Sequence, residues 1–183
     1  MADSSYQLGR ARNIRLREIA TNIFSVLMTL YEQYVQKVST PVLDPGVAYS
    51  AGDVLVATTL LQDVAREDAG LIRLESLIVF DAEDQAAQAL DIYFFDSNVT
   101  LGTINEAISI SDADALHIIG KVSIATTDFE DTINSKIGFL YNQNVLLRLA
   151  SDINDVYYAV VTAGTPTYTG NNLTFKFEFK QIN

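Results

Sequence analysis

Hydrophobic and polar positions near the end of the chain alternate with a period of two. Between positions 172 and 181, one set of alternate residues is apolar and mostly aromatic, and the other set is polar or charged. The apolar set is Leu173, Phe175, Phe177 and Phe179, and the polar set is Thr174, Lys176, Glu178 and Lys180. Because alternate side chains of a strand lie on opposite faces, this pattern predicts a strand with one buried face and one solvated face. Such strands are typical of antiparallel sheets, so the aromatic face needs a second layer to cover it.

Similar short apolar segments, separated by turn residues, recur from position 47 onwards. They predict strands at 47–49, 54–61, 70–81, 89–96, 116–125, 137–141, 145–150 and 156–162, before the last strand. Closely spaced strands without helical segments between them indicate a sandwich or a barrel rather than alternating β and α units. Their number fits a jelly roll better than an up-and-down barrel. We therefore predict an all-β fold, an antiparallel β-sandwich of the jelly-roll type.

Upstream of Pro41 the period changes to that of a helix. From about residue 14 to residue 38, a polar stripe runs between two apolar flanks. The stripe is Glu18, Asn22, Ser25, Thr29, Glu32 and Gln36, and the flanks are Ile19, Ile23, Val26 and Leu30 on one side and Phe24, Leu27, Tyr31, Tyr34 and Val38 on the other. This predicts an amphipathic helix that ends before Pro41, because the residue preceding proline avoids the helical region. Either the helix lies on the core of its own domain or it is an arm that packs against another subunit.

We accordingly divide the chain into residues 1–40, a flexible N-terminus and helical arm, and residues 41–183, the β-sandwich domain. If the arm mediates assembly, its apolar side chains and the neighbouring arginines form the interface. The candidate interface residues are Ile19, Ile23, Phe24, Leu27, Tyr31, Tyr34, Arg15 and Arg17.

The charge of the chain is unevenly distributed. The net charge is −11; five basic and three acidic residues up to position 40 give +2, which leaves −13 for the rest. An acidic body is unsuited to nucleic acid, because affinity for phosphates depends on lysine and arginine. The cluster of Arg10, Arg12, Arg15 and Arg17 is predicted to be solvated or to dock on a partner, with nucleic acid as the less favoured alternative. The polar start and the interrupted apolar run predict neither a signal peptide nor a membrane span.

Few residues offer catalytic or metal-binding chemistry. The chain has no cysteine, no tryptophan and one histidine, which excludes disulfides and thiolate sites. Two acidic clusters, Asp81, Glu83 and Asp84, and Asp112 and Asp114, lack the spacing of a calcium loop, and we expect them to be solvated. His117 is predicted to be structural, and Tyr168, in a loop, is a candidate contact residue. We predict no enzyme activity and no cofactor.

Three segments carry a resemblance to a known family. They are YSAGDVL at 49–55, ALDIYFFDS with DADALHIIGKVSI within 89–124, and VYYAVVTAGTPTY with NNLTFKFEFKQ within 156–181. In pattern and order they resemble small virion-associated proteins of tailed bacteriophages. The resemblance covers about positions 47–182 and leaves out the arm.

The resemblance implies a structural component of the virion, assembled in the host cytoplasm, and most specifically a head decoration or cement protein. The implied partners are a major capsid or other virion protein and further copies of the chain. We expect a trimer, because capsid lattices offer threefold positions. Two alternatives stay open: a carbohydrate- or receptor-binding module on a head or tail fibre, and a hydrolase that uses the loop acids.

Overall fold

The computed structural model describes residues 33–86 and 88–182, and within these ranges nine strands form two antiparallel sheets. The strands are β1 Gln33–Ser39, β2 Val54–Leu61, β3 Leu71–Asp81, β4 Leu90–Phe95, β5 Ile118–Ile124, β6 Phe129–Thr132, β7 Ser135–Arg148, β8 Val156–Thr162 and β9 Leu173–Ile182. A short helix, α1 Asp112–Ala115, precedes β5, and a 3₁₀ turn, Thr126–Asp128, precedes β6. No helix in these two ranges is long and apolar enough to cross a bilayer. The predicted antiparallel β-sandwich is thus confirmed.

The strand order is that of a jelly roll. One sheet has the order β1-β9-β3-β7-β6 and the other has the order β2-β8-β4-β5. If the short β6 is left out, each strand lies in the other sheet from the strand before it. The one exception is β5, which lies in the same sheet as β4. This alternation gives two four-stranded sheets from eight strands, as in other jelly rolls.

The aromatic face of β9 forms the centre of the core. Leu173, Phe175, Phe177 and Phe179 are all fully buried, as the alternation predicts. From the opposite sheet, the Phe94 ring meets Phe177 edge-on at a centroid distance of 6.0 Å, and the Tyr158 ring lies 4.9 Å from Phe177. These rings bury large apolar areas in preferred geometries, so they hold the two sheets together.

The predicted helix is wrong for its last residues. Gln33–Ser39 form β1, which pairs with β9 at the edge of the five-stranded sheet. In this short segment, strand alternation fits as well as helical spacing: Val35 packs on the core, and Ser39 Oγ accepts a hydrogen bond from the Tyr158 hydroxyl at 2.7 Å. Pairing with β9 favours the strand over the helix, because tertiary contacts override weak local preferences. The remainder of the predicted helix lies outside the described residues.

Three smaller strand predictions also differ from the structure. The predicted segment 137–141 and the first four residues of 145–150 belong to one strand, β7, which ends at Arg148. Within it, the three residues 142–144 face the single residue Glu75 of β3. Asn142 and Asn144 have positive φ angles of 54° and 53°, which asparagine tolerates better than most residues. Strand β6 was not predicted. The segment 47–49 forms only an isolated bridge between Ala48 and Thr167.

Candidate interaction surfaces

Five apolar side chains lie next to one another on the outer face of the five-stranded sheet. The residues that alternate with them, Leu77, Val79, Gly138 and Leu140, are buried, so these five point away from the core. We call them the β3–β7 patch: Ile78 and Phe80 of β3, and Ile137, Phe139 and Tyr141 of β7. Phe80 pairs with Ile137, Ile78 pairs with Phe139, and the Phe139 and Tyr141 rings stack 5.8 Å apart. Tyr141 remains 59% exposed.

Charged residues border the β3–β7 patch on both sides. On one side, Lys176 of β9 lies opposite Ile78 and is exposed. On the other side, Glu130 of β6 lies opposite Ile137 and is also exposed. The patch therefore has a cation on one flank and a carboxylate on the other.

The outer face of the four-stranded sheet carries a second hydrophobic cluster, which is buried. Its members are Val54, Phe95, Val99, Leu101, Ala159 and Val161. Val99 and Leu101 belong to the connection between β4 and β5. That connection is held to β2 because Asn105 N donates to Val54 O at 2.8 Å and Val54 N donates to Glu106 O at 2.9 Å. This outer face is thus covered by the chain itself.

One of the predicted interface residues lies within the described residues. Tyr34 is on β1, on the side of the strand opposite to Val35, and its side chain is 56% exposed. Val38 shares its face and is 58% exposed, and Val42 follows at 68%. The other candidates, Arg15, Arg17, Ile19, Ile23, Phe24, Leu27 and Tyr31, lie outside the described residues.

The acidic cluster after β3 is bound within the protein rather than simply solvated. The Glu83 carboxylate accepts hydrogen bonds from Thr169 N and Gly170 N, at 2.7 and 3.0 Å, and from the Asn172 side chain. Burial alone would raise the pKa of Glu83, but these hydrogen bonds outweigh it and hold the pKa below its ordinary value. Glu83 therefore joins the β3–β4 connection to the β8–β9 connection.

Asp81, at the end of β3, is fully buried beneath the same loops. Its carboxylate accepts from Glu83 N at 2.9 Å and from Gln85 N at 3.1 Å. Burial raises the pKa of Asp81, although the two backbone hydrogen bonds oppose the shift. Asp84 lies 3.7 Å from Lys136 Nζ. The three acids thus serve different local contacts and do not converge on an open cleft.

Tyr168 is not an exposed contact residue, contrary to the prediction. It is fully buried in the connection between β8 and β9, and its hydroxyl accepts a hydrogen bond from Gln88 Nε2 at 2.8 Å. Burial also raises its pKa. A tyrosine in a loop was expected at the surface, but this loop folds back over the end of the sandwich.

His117 has a partner that the sequence did not reveal. Its Nδ1 lies 2.7 Å from Asp96 Oδ1, across the connection that begins at the end of β4. Asp112 and Asp114 lie in α1, whose first turn is capped by Ser111 Oγ accepting from Asp114 N at 3.1 Å. Among residues 33–86 and 88–182, no group of three or more histidines and acids has the arrangement of a metal site.

A cleft of about 150 Å³ opens between β2 and the β4–β5 connection. Its lining is Ala57, Thr58, Asn98, Val99, Thr100, Leu101 and Gly102. Thr58 Oγ1 is buried there without a hydrogen-bond partner. The lining offers hydroxyl and amide groups but no aromatic ring. Binding of a glycan probe at this cleft would be the test of the alternative function, a carbohydrate-binding module.

Comparisons with known proteins give distant likenesses only. No protein-family model matches the sequence, and no curated protein matches it. Among solved structures, the VP2 subviral particle of infectious bursal disease virus has a TM-score of 0.37 at 9% identity over 84% of this chain, which spans 38% of the length of VP2.

Two plant virus structures are also similar. The Tobacco streak virus coat protein dimer gives a TM-score of 0.30 at 7% identity, with 83% of this chain and 86% of that chain covered. Desmodium yellow mottle tymovirus gives a TM-score of 0.26 at 8% identity, with 82% and 81% covered. The class of fold is defined by the strand order of this chain itself, which is that of a jelly-roll β-sandwich.

Proposed function

We propose that this protein is a structural virion protein of a tailed bacteriophage, a head decoration or cement protein that binds the capsid and its own copies through its N-terminal segment. The observation that carries the proposal is the exposed apolar side of β1. Tyr34 and Val38 belong to β1, the first described strand, and more than half of each side chain is exposed. The jelly-roll order and the resemblance of the three strand segments to phage virion proteins support the same function.

The N-terminal segment has the composition of a docking element. Five of the predicted interface residues before β1 are large and apolar, namely Ile19, Ile23, Phe24, Leu27 and Tyr31. Each contributes about 1.5–3 kcal/mol when it is fully removed from water. Arg15 and Arg17 add positive charge, which suits an acidic partner surface and increases the rate of encounter. Tyr34 and Val38 of β1, which follow this segment in the sequence, are themselves apolar and more than half exposed.

The test uses substitutions in the full chain, because a deletion of residues 1–40 would also remove β1. Ile23→Asp and Phe24→Asp place charges on the predicted apolar flanks, and Ser25→Asp places the same charge on the polar stripe as the control. Each protein is mixed with heads of the encoding phage that lack it, and binding is measured by co-sedimentation. We expect the two apolar-flank variants to lose binding and the Ser25→Asp protein to retain it.

Two results would contradict the proposal. One is binding to heads that is equal in all three variants and in the wild type. The other is the absence of the protein from purified virions together with specific binding to a glycan array, which would favour the carbohydrate-binding alternative.

A further inference from the structure

We propose that the outer face of the five-stranded sheet pairs with the same face of a second copy of this chain, through the β3–β7 patch. This contact is separate from the N-terminal segment, and it does not depend on the proposed function, because two copies can pair in this way without binding a capsid. The proposal rests on the uncovered apolar patch, on the charges at its two flanks and on the size of the sheet.

The patch is apolar where a solvated sheet face is normally polar. An antiparallel sheet with one wet face usually alternates apolar and polar residues. Near the end of β3 and the start of β7, however, five outward positions are all apolar or aromatic: Ile78, Phe80, Ile137, Phe139 and Tyr141. Further along the two strands, outward positions such as Arg73 and Arg148 are charged, as is usual. Among the described residues, none of these five belongs to or packs against either hydrophobic cluster, whereas the β4–β5 connection buries part of the opposite outer face. Contiguous apolar surface of this kind is typical of protein–protein contact sites.

The flanking charges select a second copy as the partner. A two-fold axis parallel to the strands, placed between β3 and β7, brings β3 of one copy over β7 of the other. The same operation brings β9 of each copy towards β6 of its partner, because these strands lie outside β3 and β7. Lys176 of β9 then approaches the flank that carries Glu130, and this happens twice by symmetry. The neighbouring Glu178 is already engaged, since it accepts from Ser76 Oγ at 2.9 Å.

The sheet is also large enough for a stable contact. Strands β9, β3 and β7 have 10, 11 and 14 residues. With strands about 4.8 Å apart and about 3.4 Å per residue, the five-stranded face measures on the order of 800 Å². A standard protein–protein interface buries about that area on each partner. Across the strands, the apolar patch occupies β3 and β7, and the two flanking charges lie on the strands outside them. Along the strands, the patch lies at the end of the face where β3 finishes and β7 begins, so it is the apolar part of a larger contact whose other half carries Arg73 and Arg148.

The first test places a charge in the patch. Tyr141→Glu is chosen because the tyrosine is largely exposed, so the variant should fold as the wild type does. Sedimentation equilibrium on the full-length proteins, over a range of concentrations, measures the dissociation constant of pairing. We expect a weakening on the order of thirtyfold or more, as for loss of a central aromatic residue in an interface. Leu116→Asp is the control, since Leu116 is 85% exposed but lies outside the five-stranded sheet.

The second test exchanges the flanking charges. Lys176→Glu and Glu130→Lys should each weaken pairing by about threefold to tenfold, because each places like charges opposite one another across the contact. The double variant restores opposite charges and should return to within about twofold of the wild type. Recovery in the double variant identifies the Lys176 and Glu130 flanks as facing each other, which a general loss of solubility would not produce.

Three outcomes would overturn the proposal. The first is a wild-type protein that shows no self-association at any concentration, as expected if the patch is covered by residues 1–32 or by a different protein. The second is self-association that is unchanged by Tyr141→Glu. The third is a double charge variant that is no better than the single ones, which would place the two flanks apart in the assembly.

Discussion

The two outer faces of the sandwich differ in how far the chain itself covers their apolar residues. On the four-stranded sheet, the connection between β4 and β5 lays Val99 and Leu101 against Phe95 and buries all three. On the five-stranded sheet, Phe139 and Tyr141 stack on each other but remain partly exposed. One face is therefore completed within the monomer, and the other keeps apolar surface that a partner can bury.

Because of this difference, residues of the covered face should mainly affect the stability of the single chain, and residues of the open face should mainly affect pairing. Residues of the covered face contribute their apolar burial to the folding of the single chain. Residues of the β3–β7 patch contribute less to that stability, because none of the five is fully buried and Phe80 and Tyr141 are 36% and 59% exposed. Substitutions on the two faces should therefore affect different measurements.

The largest expected effect compares one phenylalanine from each face. Phe95→Ala removes a fully buried ring from the covered face and should lower the free energy of unfolding by about 3–5 kcal/mol. Phe139→Ala removes a half-buried ring from the patch and should cost about 1 kcal/mol under conditions where the protein is monomeric. Urea denaturation followed by circular dichroism measures both values. Equal costs would contradict the distinction between a covered face and an open face.

The sequence predicted most strands because their alternation is local. The prediction gave 54–61 and 156–162, which are the bounds of β2 and β8 in the structure. The end of the predicted helix failed because the segment from Tyr34 to Val38 is too short to distinguish a period of two from a helical period. The Asn142–Asn144 segment looked like a turn, but long pairing with β3 keeps it inside one strand as a bulge.

The surfaces were harder to predict than the strands. The apolar residues of 70–81 and 137–141 were visible in the sequence, but their partition between the core and the outside depends on the second sheet. The contact between Glu83 and Thr169 joins residues 86 positions apart, so local spacing could not reveal it. The burial of Tyr168, which was predicted as a candidate contact residue, could not be foreseen for the same reason, since its hydrogen bond with Gln88 joins residues 80 positions apart.

An intermediate effect is expected at the end of the sandwich where connections join both sheets. Glu83→Ala leaves the Thr169 and Gly170 amides without their acceptor and should lower stability by about 1–2 kcal/mol at pH 7. Because the change lies outside the β3–β7 patch, pairing of the folded protein should be unaffected. Thermal unfolding and sedimentation on the same samples test this separation. Loss of pairing at full folding would show that the loops belong to the contact.

The pH dependence of the same site has a definite sign. The folded protein holds the pKa of Glu83 below its ordinary value, so the stabilisation is present above that value and is lost as the pH falls through the folded pKa. Glu83→Gln should therefore flatten the loss of stability below about pH 4.5. Asp81 has a raised pKa and acts with the opposite sign, but it is present in both proteins, so the difference between them reports on Glu83. A profile that is unchanged in Glu83→Gln would contradict this assignment.

The smallest effect compares one lysine from each face. Lys121, on the four-stranded sheet, lies 2.9 Å from Asp91 Oδ2 and 5.2 Å from the centre of the Tyr93 ring, and the hydrogen bond to Asp91 raises the pKa of the lysine. Since the pair is partly exposed, Lys121→Met should cost no more than about 1 kcal/mol. That contribution is lost as the pH rises through the folded pKa, above about pH 10.5. Lys176→Met should leave monomer stability unchanged and weaken pairing instead. Equal losses of stability in Lys121→Met and Lys176→Met would contradict the comparison of the two faces.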